Sequence, residues 1–103
     1  MLVDIKDYNV TMDLNELDSN LRKIEYTPVH DVIFNKKLPE EHHVRVIVKF
    51  GGLDGFYTGT VIGCELCGLQ MSRYVIRIDE GDHMWSNRLT CPMNDADIYR
   101  IKA

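Results

Sequence analysis

Val44-Arg-Val-Ile-Val-Lys-Phe50 is the stretch on which the fold turns. Val44, Val46, Val48 and Phe50 alternate with Arg45, Ile47 and Lys49, the period of a strand with one face in a core. The pattern returns downstream. Residues 56–63 form a second strand rich in β-formers, and Gly59 inside it marks a sharp bend. Residues 73–79 form a third, with Tyr74, Ile76 and Ile78 on one face. Residues 83–86 begin a fourth, and Asp97-Ile-Tyr-Arg-Ile101 supplies a fifth. Residues 51–55 are a glycine-rich loop, and Gly81 allows a tight turn at 79–82. Several short strands at close spacing predict a barrel or a sandwich. The sixty residues from Val44 onward are too few for two full sheets, so the expectation is a small barrel.

Upstream the period changes. Leu14, Leu17, Leu21 and Ile24 are spaced three, four and three apart, one apolar stripe on a helix over about 13–24. Asp13 is a good N-cap, with Glu16 completing a capping box and Met12 and Leu17 placed as a hydrophobic staple. Asp18 and Arg22 are spaced as an ion pair, cations fill the last turn, and Pro28 stops the helix. So short a helix needs a surface to pack on. Val3, Ile5 and Asp7 alternate as in a short strand, which Tyr8 and Val10 extend. Residues 29–34 are apolar and fit helix or strand, and 35–43 are a polar connector. The reading is therefore mainly β with an N-terminal helix: an extension over 1–43 packed on a barrel over 44–103.

Composition narrows the function. The chain has 103 residues and a formal net charge of −4, a normal size and charge content for one globular domain. The acidic surplus lies in residues 1–43, with five basic against nine acidic residues, while 44–103 carries seven of each. Neither half has the basic excess that phosphate binding usually needs. No apolar run is long enough for a transmembrane helix, and the N-terminus lacks the pattern of a secretory signal. A cytoplasmic location is expected, or a nuclear one in a eukaryote, with no membrane partner. Three cysteines, an odd number, argue against a secreted disulfide framework.

The second half resembles the Tudor-like branch of the SH3-like barrels. The matching stretches are Val44-Arg-Val-Ile-Val48, Tyr57-Thr-Gly-Thr-Val-Ile62, Tyr74-Val-Ile-Arg-Ile-Asp-Glu-Gly81 and Asp97-Ile-Tyr-Arg-Ile101. The resemblance implies a five-stranded barrel and covers none of the N-terminal segment. It also implies that an aromatic cage at one barrel end holds a methylated lysine or arginine. Cation–π attraction beside a carboxylate is the physics of such a cage. Here Phe56, Tyr57 and Trp85 would be its walls and Asp79 its anion, with Phe50 nearby. The alternative is that these aromatics pack the core and Asp79 sets up its turn. The loop at 63–72 and the stretch at 86–95 are longer than the family pattern.

Antiparallel connectivity places Cys64 and Cys67, in Cys-Glu-Leu-Cys-Gly68, at the opposite end, with Cys91 nearby and His42 or His43 in reach. A CxxCG knuckle is half of many zinc sites, but a second knuckle is missing. Zinc on Cys64, Cys67 and Cys91, or free thiols in a loop, are the two readings. No other cofactor is indicated, and no spacing marks a catalytic motif, so the chain is expected not to be an enzyme.

Three functions fit. The first is a non-enzymatic binding module for a protein partner with a basic surface, such as a basic or methylated peptide, docked at the acidic, aromatic end. The second is a nucleic-acid-associated KOW-like barrel using Arg45, Lys49, Arg73, Arg77, Arg88 and Arg100, with Arg73 and Arg77 on one face of their strand. The third is a small viral or mobile-element effector that binds and inhibits a host protein.

Overall fold

A computed structural model describes residues 3–25, 35–49, 55–67, 70–79, 88–92 and 97–102. The strands are β1 (Val10–Thr11), β2 (Lys36–Lys37), β3 (Val44–Val48), β4 (Tyr57–Cys67), β5 (Gln70–Ile78), β6 (Arg88–Pro92) and β7 (Ile98–Ile101), with one helix, α1 (Asn15–Lys23). Every ladder is antiparallel. Six strands lie in the order β1-β7-β3-β4-β5-β6, and β2 joins the edge of β4 beyond the end of β3. The described residues are mainly β with one α-helix, as the residue pattern predicts.

The sheet is not closed into a barrel. β1 and β6 end its path, and no ladder joins them among the described residues. The N-terminal segment explains the difference. β1 pairs with β7, Val10 opposite Ile101 and Thr11 opposite Arg100, and so takes the edge that closure would use. The stretch expected to be a mere extension therefore contributes two strands to the sheet.

The expected loop at 63–72 is instead a hairpin. β4 and β5 stay paired as far as Cys67 opposite Gln70, with register shifts between Val61 and Gly63 and between Glu65 and Leu66. Such bulges break the alternation by which a strand is recognised. β6 runs through the stretch expected to be a long connector, while the strand expected at 83–86 and the segment at 29–34 lie outside the described residues. The connector at 35–43 holds β2, a 3₁₀ turn at Glu40–His42 and the buried Leu38. Val3 forms a single bridge to Phe56, and Ile5–Asp7 turn as 3₁₀ rather than as strand.

One face of the sheet packs on α1. Leu17 and Leu21 are fully buried there with Val46, Val48, Val61, Cys64, Tyr74, Ile76, Ile78 and Ile98. The stripe thus buries as its spacing predicts, but the ends of α1 differ. The N-cap is Leu14 rather than Asp13, which stands one residue before it and accepts from the Asn15 N–H at the first helical position. The Asp13 N–H, however, goes to Thr11 Oγ1, and Glu16 turns away to Arg100. The capping box does not form because β7 offers Glu16 a cation. Met12 is 61% exposed, so no staple forms with Leu17. Asp18 accepts from the buried Tyr74 hydroxyl, which ties α1 to β5.

Candidate functional site

The residues expected to form a cation site are differently employed. Asp79, at the end of β5, receives two hydrogen bonds from Arg45, Nη1 to Oδ1 at 2.6 Å and Nη2 to Oδ2 at 2.5 Å. The Thr58 hydroxyl adds a third at 2.7 Å. This is the planar two-bond match of guanidinium and carboxylate. The Arg45 guanidinium holds the Asp79 carboxyl below its ordinary range against the opposing effect of burial. The chain's own arginine thus occupies the place expected for a ligand cation. Consecutive residues of an extended chain face opposite ways, and Phe56 and Tyr57 obey this. Tyr57 packs against the core, whereas the Phe56 ring meets Tyr99 edge-on at 6.3 Å. The two walls do not share one cage. Trp85 and Phe50 lie outside the described residues.

The cysteines fall on two strands. Register places Cys64 opposite Tyr74 on one side of β5 and Cys91 opposite Tyr74 on the other. Cys67 ends β4 opposite Gln70. Cys64 is fully buried, and that burial pushes the thiol up to about 11, keeping it protonated at neutral pH. Among the described residues no group of three or more His, Cys, Asp or Glu is arranged to hold a metal ion. His43 donates from Nε2 to the Leu38 carbonyl at 3.2 Å, which ties its ring to the connector.

The backbone creates a different site. β3 and β7 pair only from Val46 opposite Arg100 to Val48 opposite Ile98. Beyond that register Val44 and Arg45 part from Ile101 and Lys102. The opening is a groove of about 340 Å³ lined by Thr11, His43, Val44, Arg45, Arg100, Ile101 and Lys102. A hollow of about 110 Å³ continues it toward α1, past His43 and Arg100 to Glu16 and Asn20. Three permanent cations and a histidine line the groove, and no carboxylate does. Two of these cations are fixed from behind. Arg45 is held by Asp79 and donates to Thr60 Oγ1 at 3.0 Å, and Arg100 pairs with Glu16 at 3.1 Å. The groove can take an anionic or hydrogen-bond-accepting group, with the Val44 and Ile101 side chains as apolar contact.

Arg45 and Arg100 are conspicuous in the sequence as strand cations. Thr11, His43 and Lys102 are not, because they come from other segments and meet only where the strands part. No family model, curated protein or solved structure matches this chain. Among the described residues no helix is long and apolar enough to cross a membrane.

Proposed function

We propose that this chain is a non-enzymatic module that docks a protein partner in the groove between β3 and β7. The observation that carries this reading is the groove itself: cations fixed by carboxylates behind them, around a small apolar floor. Side chains anchored in advance lose little freedom on binding, which favours recognition. A cationic ligand at Asp79 would have to displace Arg45, so a basic or methylated peptide is the weaker fit. An SH3-like ancestry and a cytoplasmic location belong to the same proposal. Supporting the ancestry is the eleven-residue β4, shared between β3 and β5, with Gly59 close against β5.

Affinity capture with the wild-type chain and with Lys102→Glu tests the reading. Lys102 is exposed and lines the groove, so reversing its charge alters the site without touching the core. The expected result is a protein retained by the wild type and lost from the variant. Equal retention by both removes the groove as the docking site, and no specific retention by either removes the module.

A further inference from the structure

The segment from Val3 to Thr11 is held to the sheet mainly by its backbone, because none of its side chains is buried. Main-chain bonds pin it at two places. The Val3 N–H donates to the Phe56 carbonyl at 2.8 Å, and the Lys102 N–H donates to the Asn9 carbonyl at 2.7 Å. Between Asn9 and α1, β1 adds a ladder of only two residue pairs. β7 is anchored far better. Its other edge pairs with β3, and its Ile98 lies in the core with Leu17 and Leu21. Segments with little buried apolar surface open locally while the core stays folded. Opening of this one leaves the outer edge of β7 as a row of unpaired backbone groups, a template for another strand.

That edge is not matched as well as it could be. The bond from Lys102 to Asn9 extends the β1–β7 ladder by one position and sets these two residues opposite each other. Directly opposed residues share a face. Lys102 is exposed and has no ion pair with another described residue, and what faces it is a neutral amide. A carboxylate in the place of Asn9 would make the opposite-charge pair that sheets favour. The next position sets Val10 against Ile101, which suits an apolar residue. Thr11 and Lys102 both line the groove, so loss of β1 extends the groove along β7.

Resting on the docking proposal above, we infer that β1 is a displaceable stand-in and that the partner docks by strand addition. An extended segment of the partner pairs with β7 in place of β1, with an Asp or Glu opposite Lys102 and an apolar residue opposite Ile101. Main-chain bonds give such addition its affinity, and alternate side chains give it specificity.

Fluorescence anisotropy tests this with two labelled peptides, one copying residues 3–12 and one copying them with Asn9→Asp. The protein is the full chain and its Val10→Cys/Ile101→Cys variant, whose cross-strand disulfide locks β1 onto β7. Each is measured reduced and oxidised. Both peptides should bind the full chain, the Asn9→Asp peptide at least twofold more tightly. Oxidation should weaken binding at least tenfold in the double variant and change it less than twofold in wild type. The full chain carrying Asn9→Asp needs no added cysteine. It should bind the peptides at least twofold more weakly, because its resident strand then competes better. Equal affinity in the locked and reduced forms, or no binding to either, overturns strand addition, and equal binding of the two peptides overturns the carboxylate opposite Lys102. If a protein captured through Lys102 is retained equally by the locked form, the docking proposal stands and displacement of β1 falls.

Discussion

Gly59 shows what a single position contributes. A Cβ built there would lie 2.8 Å from both the Arg77 carbonyl oxygen and Ile76 Cγ2. Backbone on one side cannot yield, so β4 and β5 approach closely only because the side chain is absent. Gly59→Ala should lose about 1–3 kcal/mol, the usual cost of overpacking. A urea midpoint unchanged from wild type would show that the strands can give way. Cys64 yields a pH prediction. Its folded thiol is pushed up to about 11, while an unfolded thiol titrates at about 8.5. The folded state therefore holds the proton longer, and unfolding is favoured progressively as pH rises between those values. Stability of Cys64→Ala should fall less steeply than that of wild type over this alkaline range, as followed by urea unfolding at several pH values. Equal slopes would contradict it. The bend at Gly59 was legible as a glycine in a strand pattern. The burial of Cys64 was not, because the register shift at Ile62 breaks the alternation of the strand that carries it.

Among the elements, α1 is legible chiefly from its stripe, since the three-four spacing of Leu14, Leu17, Leu21 and Ile24 survives any context. Its partners were not legible. Glu16 and Asp18 fit local roles within the helix, yet each finds a better one across the fold, with Arg100 and Tyr74. Leu17→Ala should destabilise the protein by about 2–5 kcal/mol, because a fully buried leucine leaves a cavity. Met12→Ala should lie within about 0.5 kcal/mol of wild type, since Met12 is exposed. Thermal or urea unfolding of the two variants checks both, and a Met12 effect as large as that of Leu17 would restore the staple.

At the scale of the molecule, the Arg45–Asp79 pair links β3 to β5 across the intervening β4. Asp79 is depressed chiefly by its hydrogen bonds from Arg45. The sign follows: its stabilising contribution is present above the unfolded carboxylate range and is lost as pH falls through the lower folded value. Wild type should therefore exceed Asp79→Asn in stability at neutral pH, with the gap closing as the pH falls below the unfolded carboxylate range. High salt should narrow it at neutral pH, because both groups are partly exposed. A gap constant across that pH range would mean that the ion pair contributes nothing.

The residues by themselves determined a mainly β chain with one amphipathic helix, because strand and helix periods are local properties of the side chains. They also determined that Val46 and Val48 of β3 and Tyr74, Ile76 and Ile78 of β5 face the core shared with α1, but not that Ile47 and Val75 on the opposite face are fully buried as well. Tertiary structure alone decided that the sheet stays open, because that depends on the N-terminal β1 reaching the edge of β7. It likewise decided the use of the charges. Asp79 reads as a ligand's anion until Arg45 is seen beside it, thirty-four positions away. The groove exists only because β3 and β7 pair over three residues and then part. Divergence of two strands distant in sequence leaves no local pattern.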